Sequence, residues 1–263
     1  MSSRKAQREE ARARRLAEEQ ARATQARRTR RIRMLGGIVI GAVAVLVIAI
    51  AISSGGGKKA TGLAKGTTAT KTVAQVQGLL KGIPQSGTRL GNPNAPVTLY
   101  YYGDLQCPVC QAFTLNGFKQ LVANEVRSGK VQVVYRSLET ATQDQQTFQL
   151  QQVAALAAGQ QQRFWDYTEL FYHEQGEEDS GYVNEEYLDS LARQVPGLNY
   201  NSWISARNQS ALSSQIPTDA NQAAAVNANA TPTLVVKGPK GQGQPASGAL
   251  SYDSLKQMVN SVE

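Results

Sequence analysis

The sequence predicts an α/β domain that follows a single transmembrane helix. Three observations support this prediction: an uninterrupted apolar run at residues 34–52, a β-rich segment that leads into a Cys-x-x-Cys pair, and apolar residues at helical spacing after that pair. A second β-rich run follows at residues 131–136, so strand, helix and strand form a βαβ unit. We therefore divide the chain into a basic arm, a transmembrane helix, a linker and a folded domain, at residues 1–33, 34–52, 53–72 and 73–263.

The net charge of +8 lies entirely in the N-terminal arm. Residues 1–33 hold 12 of the 28 Lys and Arg and 4 of the 20 Asp and Glu, which leaves 16 of each sign for the rest of the chain. A nucleic-acid-binding domain needs basic residues on its folded surface, so this distribution argues against a nucleic-acid partner. We interpret the arm as a solvated determinant of topology that also contacts membrane lipid. A cytoplasmic protein partner or a coiled coil is the alternative, although no heptad pattern is visible.

Residues 34–52 contain 19 positions without a charge. A helix of this length covers roughly 28 Å, close to the hydrocarbon thickness of a bilayer. The arginine cluster before the run outweighs Lys58 and Lys59 after it, which places the N-terminus in the cytoplasm and the folded domain outside. We predict a single-pass signal anchor in the cell membrane, followed by a flexible linker at 53–72. A cleavable signal peptide and a buried core helix are the alternatives.

The first part of the domain contains the βαβ unit. The run at 97–102 predicts a buried strand, which leads through Gly103 and Asp104 to the cysteine pair. Apolar residues then recur at helical spacing as far as residue 126, and Gly129 is expected to end the helix.

The rest of the domain is predicted to be mostly helical. A helical stretch runs over about 144–212, within an insertion at about 140–212, and its aromatic residues are expected to pack in a core. An Ala-rich helix is predicted at 219–228, a strand at 234–236 and a hairpin at 238–248. The last helix has a buried stripe predicted at Leu255, Met258, Val259 and Val262.

The Cys-x-x-Cys pair is the predicted chemical centre. At a helix N-terminus the first sulfur faces unpaired backbone N–H groups, which favour the thiolate. Cys107 is therefore the expected nucleophile and Cys110 the expected resolving thiol, while Pro108 suits the first helical turn. A zinc site, an inert structural disulfide and a degenerate, inactive pair are the alternatives. Zinc would need two further ligands, and the one histidine, His173, is interpreted as an ordinary helix residue, so we predict no metal and no cofactor.

Three segments in this order resemble a known family. The segments GNPNAPVTL at 91–99, DLQCPVC at 104–110 and ATPT at 230–233 together resemble the DsbA-like thioredoxin-fold oxidoreductases, in their membrane-anchored, actinobacterial form. The resemblance covers about residues 85–262. It implies a thioredoxin fold with an α-helical insertion, and a thiol–disulfide oxidoreductase that acts on extracytoplasmic cysteine-containing proteins.

The resemblance also implies a binding site for substrate. Pro232 would be cis and lie against the disulfide, and the backbone of Thr231 would pair with an extended substrate peptide. An ordinary trans proline at the start of a strand is the alternative. A membrane quinone-linked thiol oxidase is the recycling partner that the resemblance implies.

The chain departs from this family at two positions. Relatives often carry a buried acid six positions before the first cysteine, where this chain has Tyr101, so the proton acceptor for Cys110 stays open, with water as one alternative. Asp104 does not match that acid and is interpreted as a turn residue. The residue after Pro108 is Val109, where strong oxidants of the family have histidine. We therefore predict a less oxidising couple than in those relatives.

The residues leave the redox direction open. Formation or exchange of disulfides is the first interpretation, and a disulfide reductase or isomerase is the second. A non-catalytic, tethered peptide-binding module of thioredoxin fold is the alternative from another class of protein.

Overall fold

The structure, a computed structural model, describes residues 67–263. The predicted basic arm and transmembrane helix lie outside the described residues. Over residues 67–263 no helix combines the length and the apolar character that a membrane span requires. The first helix, α1 (Thr67–Leu80), includes residues 67–72, so the prediction of a flexible linker is wrong for that part of 53–72.

The centre of the domain is one mixed sheet. Its strand order is β1-β2-β4-β3-β5-β6, and β7 also pairs with β5. The strands are β1 (Gln85–Ser86), β2 (Arg89–Leu90), β3 (Val97–Gly103), β4 (Val131–Ser137), β5 (Thr233–Gly238), β6 (Gly241–Gln242) and β7 (Ala246–Ser247). The strands predicted at 97–102, 131–136 and 234–236 and the hairpin at 238–248 are confirmed, within a residue or two at their ends.

The pairing of the three central strands determines where the site lies. Strands β3 and β4 are parallel, and β5 runs antiparallel to β3. In this register Tyr102, near the end of β3, is opposite Thr233, at the start of β5. The residues just after β3 and just before β5 therefore meet at the same end of the sheet, where β3 ends and β5 begins. Those residues are the loop before Cys107 and the Thr231–Pro232 pair.

A continuous helical segment connects β3 to β4. It consists of α2 (Pro108–Phe113), a π-helical turn (Thr114–Phe118), α3 (Lys119–Leu121) and a second π-helical turn (Val122–Val126). Parallel strands need such a crossover, so the predicted βαβ unit is confirmed. Gly129 ends the segment with a φ of 79°, a conformation that glycine adopts without steric cost. The two π-helical turns were not predicted, because apolar spacing alone does not distinguish them from an α-helix.

Five helices lie between β4 and β5. They are α4 (Gln145–Gly159), α5 (Phe164–His173), α6 (Glu185–Gln194), α7 (Tyr200–Arg207) and α8 (Ser210–Ala225). The side chains of Asp144, Asn184 and Asn199 cap α4, α6 and α7 by accepting backbone N–H bonds. The predicted helical stretch is confirmed. The Ala-rich helix predicted at 219–228 is confirmed as far as Ala225, but its start is wrong, because α8 begins at Ser210 and continues past Pro217.

The aromatic residues of α5 form part of the core, as predicted. Phe164, Trp165, Tyr167, Phe171 and Tyr172 are each no more than 1% exposed. The ring of Trp165 stacks on Phe118 at a centroid distance of 5.1 Å. This contact fixes α5 against the helical segment that begins at the cysteine pair.

The last helix, α9 (Tyr252–Val262), packs on β5 and on the helical segment after the cysteine pair. Leu255, Val259 and Val262 are buried, and Met258 is partly buried against the same core, as predicted. Gly117 allows the close approach of this region, because a Cβ atom there would overlap the carbonyl oxygen of Leu250.

Candidate active site

Cys107 occupies the N-cap position of α2, with an extended backbone (φ −67°, ψ 119°). Its N–H donates to the carbonyl of Asp104 at 3.1 Å, and its own carbonyl accepts the N–H of Gln111 at 3.1 Å. Pro108 follows as the first helical residue, where its missing N–H breaks no bond. The helix therefore starts where the sequence predicted.

The two cysteines are free thiols with different surroundings. Cys107 is 5% exposed, whereas Cys110 is fully buried one turn into the helix. The pKa of Cys107 is lowered to about 7, first by a hydrogen bond from the Cys110 side chain, against an opposing effect of burial. The side chain of Thr231 and the backbone N–H groups of Cys110 and Val109 lower it further.

Burial raises the pKa of Cys110 well above its ordinary value, and Cys107 raises it further. The backbone of Asp104 and the hydroxyl of Tyr101 act in the opposite direction, with smaller effects. Near pH 7 a large fraction of Cys107 is therefore thiolate, while Cys110 keeps its proton. The thiolate is the nucleophilic form of cysteine, so the geometry distinguishes an attacking from a protonated sulfur.

The Thr231–Pro232 pair lies directly beside Cys107. Its peptide bond is cis, as the resemblance implied. The sulfur of Cys107 donates to the carbonyl of Thr231 at 3.3 Å. The extended backbone at residues 231–233 thus faces the reactive sulfur, where a substrate peptide would be held by strand addition.

Asp104 begins the turn before Cys107, as the sequence suggested, since its carbonyl accepts the N–H of Cys107, but its carboxylate is also fully buried. One oxygen accepts three consecutive backbone N–H bonds, from Thr140 (3.3 Å), Ala141 (3.0 Å) and Thr142 (2.9 Å). The other accepts from the backbone of Gln106, the hydroxyl of Thr142 and the amide of Gln151. Buried charge is tolerated when it is this well hydrogen-bonded. The carboxylate holds the loop before Cys107 against the loop at 140–142.

Tyr101 fills the position that an acid often has in the family. Its hydroxyl lies 3.1 Å from Thr114 Oγ1 and donates to the hydroxyl of Tyr172 at 3.2 Å. Thr114 is one helical turn beyond Cys110, so the Tyr101 hydroxyl that contacts Thr114 lies under the buried thiol of Cys110. Burial raises the pKa of Tyr101 well above its ordinary value. The phenol therefore stays protonated and does not act as a base, and its hydroxyl lowers the pKa of the nearby Cys110 thiol.

Three further residues, Val109, His173 and Gln175, lie on the cysteine helix or at the end of α5. Val109 is partly exposed and contributes its backbone N–H to Cys107. His173 is the last residue of α5, and its pKa is lowered by burial and then by the charge of Lys119. Gln175, which sequence reasoning missed, donates to the carbonyls of Leu105 (2.6 Å) and Cys107 (3.3 Å). Nothing in the local sequence marks Gln175, because it reaches the site from the end of another helix.

No group of three or more His, Cys, Asp or Glu side chains is arranged to bind a metal ion within residues 67–263.

Comparisons with known proteins point to the same chemistry. A family model described as Thioredoxin matches residues 85–261. Disulfide bond formation protein D of Bacillus subtilis is 23% identical over 175 residues, which are 65% of this chain and 74% of that protein.

Two solved structures share the fold. Oxidised BdbD from Bacillus subtilis superposes with a TM-score of 0.57 and 21% identity, covering 68% of this chain and 97% of that one. DsbA2 from Pseudomonas aeruginosa superposes with a TM-score of 0.51 and 22% identity, covering 68% and 96%.

Proposed function

Because the chain belongs to the thioredoxin family, we propose that it is a membrane-tethered thiol–disulfide oxidoreductase that forms or exchanges disulfides in extracytoplasmic proteins. The observation that carries this proposal is the contrast between the two sulfurs. The pKa of Cys107 is lowered to about 7 beside Thr231, whereas burial raises that of Cys110. An inert structural disulfide would need no such contrast.

In the oxidising direction the chain starts with a Cys107–Cys110 disulfide. A substrate thiolate attacks the sulfur of Cys107, a mixed disulfide forms, and Cys110 leaves and takes up a proton. The second substrate thiolate then attacks the substrate sulfur of the mixed disulfide, and Cys107 leaves as a thiolate. From dithiol to disulfide the substrate has lost two electrons and two protons. The pair has gained the two electrons, Cys110 has taken up one proton, and the other proton goes to solvent. A low pKa at Cys107 assists this step because a stable thiolate is a good leaving group.

The oxidising direction is supported by the name of the Bacillus relative, which refers to disulfide bond formation. In the reducing direction Cys107 attacks a substrate disulfide and Cys110 must then lose its proton to resolve the mixed disulfide. The raised pKa of Cys110 slows that second step. Cys110 is also the leaving group of the first oxidising step, so its raised pKa acts on both directions, and a reductase or isomerase stays the alternative.

The membrane tether is supported by the uncharged run at 34–52 and the basic arm before it. An extracytoplasmic location would place the pair in a compartment where disulfides persist. The reduced pair would then need an oxidant to start a new cycle, and a membrane quinone-linked thiol oxidase is the partner that we propose.

The test is a trapping experiment with Cys110→Ala in the native host. We expect dithiothreitol-sensitive mixed disulfides on Cys107, because the variant retains the attacking sulfur and lacks the resolving one. The matched control is Cys107→Ala/Cys110→Ala, which should trap nothing. In parallel, the oxidised full-length protein should convert a reduced dithiol peptide to its disulfide. A protein that binds the peptide and transfers no disulfide would be the non-catalytic binding module.

A further inference from the structure

A short run of hydroxyl groups leads away from Cys107 to the loop at 140–142. The hydroxyl of Thr231 forms a hydrogen bond with the hydroxyl of Thr140, although 91 positions separate the two residues. Thr231 is 9% exposed, whereas Thr140 lies at the surface. The reaction proposed above gives Thr140 no part.

The position of Thr140 is fixed by the residue that also positions Cys107. The N–H of Thr140 donates to the buried carboxylate of Asp104 at 3.3 Å, and the next two N–H groups donate to the same oxygen. The carbonyl of Asp104 accepts the N–H of Cys107 at 3.1 Å. The nucleophile and Thr140 are therefore both held to one residue.

The direction of the hydrogen bonds follows from counting protons. A hydroxyl group has one proton to donate. The carbonyl of Thr231 lies 3.3 Å from the sulfur of Cys107, and the Thr231 side chain lowers the pKa of that thiol, which a hydroxyl does by donating its proton to the thiolate. In that state Thr231 can only accept from Thr140. Hydrogen bonds in such a chain polarise one another, so the first one strengthens the second.

We propose that Thr140 is a positioning residue: its hydroxyl orients that of Thr231 toward Cys107, and Asp104 holds Thr140 in place. This inference rests on the proposed function, in which the Cys107 thiolate is the reacting group. Within residues 67–263 Thr140 forms hydrogen bonds to Asp104 and Thr231 and none to the sulfur of Cys107, so its effect passes through Thr231.

The experiment measures the pKa of Cys107 in the reduced full-length protein, from the pH dependence of its alkylation by iodoacetamide, mapped by mass spectrometry. In Thr140→Val a methyl group replaces the hydroxyl with little change of shape. We expect the pKa to rise by about half a unit, which lowers the ratio of thiolate to thiol about threefold. Thr140→Ser keeps the hydroxyl and should restore the wild-type value, which a general loss of structure would not allow.

A double-variant cycle makes the test specific. Thr231→Val should raise the pKa by more than Thr140→Val does, and Thr140→Val should add nothing once Thr231 is valine. Thr218→Val is the matched control, because its hydroxyl bonds only to the carbonyl of Ser214 on the exposed face of α8. It should leave the pKa unchanged.

An unchanged or lowered pKa in Thr140→Val, or additive effects in the cycle, would overturn the inference. Its failure is distinguishable from that of the proposed function. A wild-type protein that oxidises the dithiol peptide while Thr140→Val has no effect contradicts only the role of Thr140. A wild-type protein that transfers no disulfide while Thr140→Val raises the pKa contradicts only the oxidoreductase.

Discussion

The sulfur of Cys107 and the carbonyl oxygen of Thr231 lie 3.3 Å apart, although 124 positions separate the two residues in the chain. Cys107 has two kinds of neighbour: its own helix start, which the local sequence encodes, and the segment before β5, which reaches it through the sheet. The first kind supplies most of the stabilisation of the thiolate, because the side chain of Cys110 is the largest cause of the lowered pKa.

Removal of Cys110 should therefore raise the pKa of Cys107. In Cys110→Ala the hydrogen bond from the second thiol is lost, while the burial that opposes ionisation is kept. We expect the midpoint of Cys107 alkylation to move above its wild-type value of about 7, and the alkylation rate at pH 6 to fall. Val109→Ala is the control, since it keeps the backbone N–H. An unchanged midpoint in Cys110→Ala would mean that Thr231 and the backbone N–H groups stabilise the thiolate without the second thiol.

The reduction potential should be below that of the strongest oxidants of the family. Val109 offers Cys107 a backbone N–H and no charged side chain. We expect equilibration with glutathione to give a value more negative than about −120 mV. Val109→His should raise the potential by stabilising the thiolate of the reduced form, and Val109→Leu should not. A wild-type value near −120 mV would contradict the prediction.

The hydroxyl of Tyr101 should assist the resolving step. It lowers the pKa of Cys110, and burial raises its own pKa, so it stays protonated and can turn its one proton from Tyr172 to a Cys110 thiolate. In Tyr101→Phe the attack of Cys110 on a mixed disulfide should slow by roughly tenfold, the equivalent of one net hydrogen bond to a charged group. The measurement is the release of a thiol from a preformed mixed disulfide on Cys107. Tyr200→Phe, at a hydroxyl that bonds to Asp189 in the helical insertion, should release the thiol at the wild-type rate.

Glu169 should make the domain less stable as the pH rises. It is 2% exposed, one of its oxygens has no hydrogen-bond partner within residues 67–263, and burial raises its pKa from 4.5 to about 8. The folded state therefore keeps a proton that the unfolded chain loses above pH 4.5. The stability from this group is complete below pH 4.5 and is lost as the pH rises to about 8, by at most about 1.4 kcal/mol per pH unit.

Glu169→Gln removes this titration and keeps the shape of the side chain. Relative to the wild type, the variant should gain stability between pH 5 and 8 in urea unfolding, with little change below pH 4.5. Glu186→Gln, at an exposed position on α6, is the control and should follow the wild type at every pH. A difference between Glu169→Gln and wild type that does not grow with pH would contradict a raised pKa.

Much of the architecture follows from local patterns. The alternation and β-branched composition of 97–102 and 131–136, with helical spacing between them, predicted the βαβ unit that the structure contains. The bounds of α8 could not be predicted in this way. The Ala-rich sequence predicted a helix from residue 219, whereas α8 begins at Ser210 and contains Asp219, which is buried and accepts the N–H of Ser137 on β4. A tertiary contact of this kind leaves no periodic pattern.

From the sequence alone come the two sulfurs that we propose react, the position of Cys107 at the helix start and, through the uncharged run at 34–52, a membrane anchor that stays a prediction. Those features depend on neighbours in the chain, so spacing reveals them. Only the tertiary structure decided what surrounds the sulfurs. Asp104, Tyr101 and Thr140 look like ordinary turn, strand and loop residues in the sequence. They act on the cysteine pair because the register of β3, β4 and β5 brings distant segments to the same end of the sheet, where β3 ends and β5 begins.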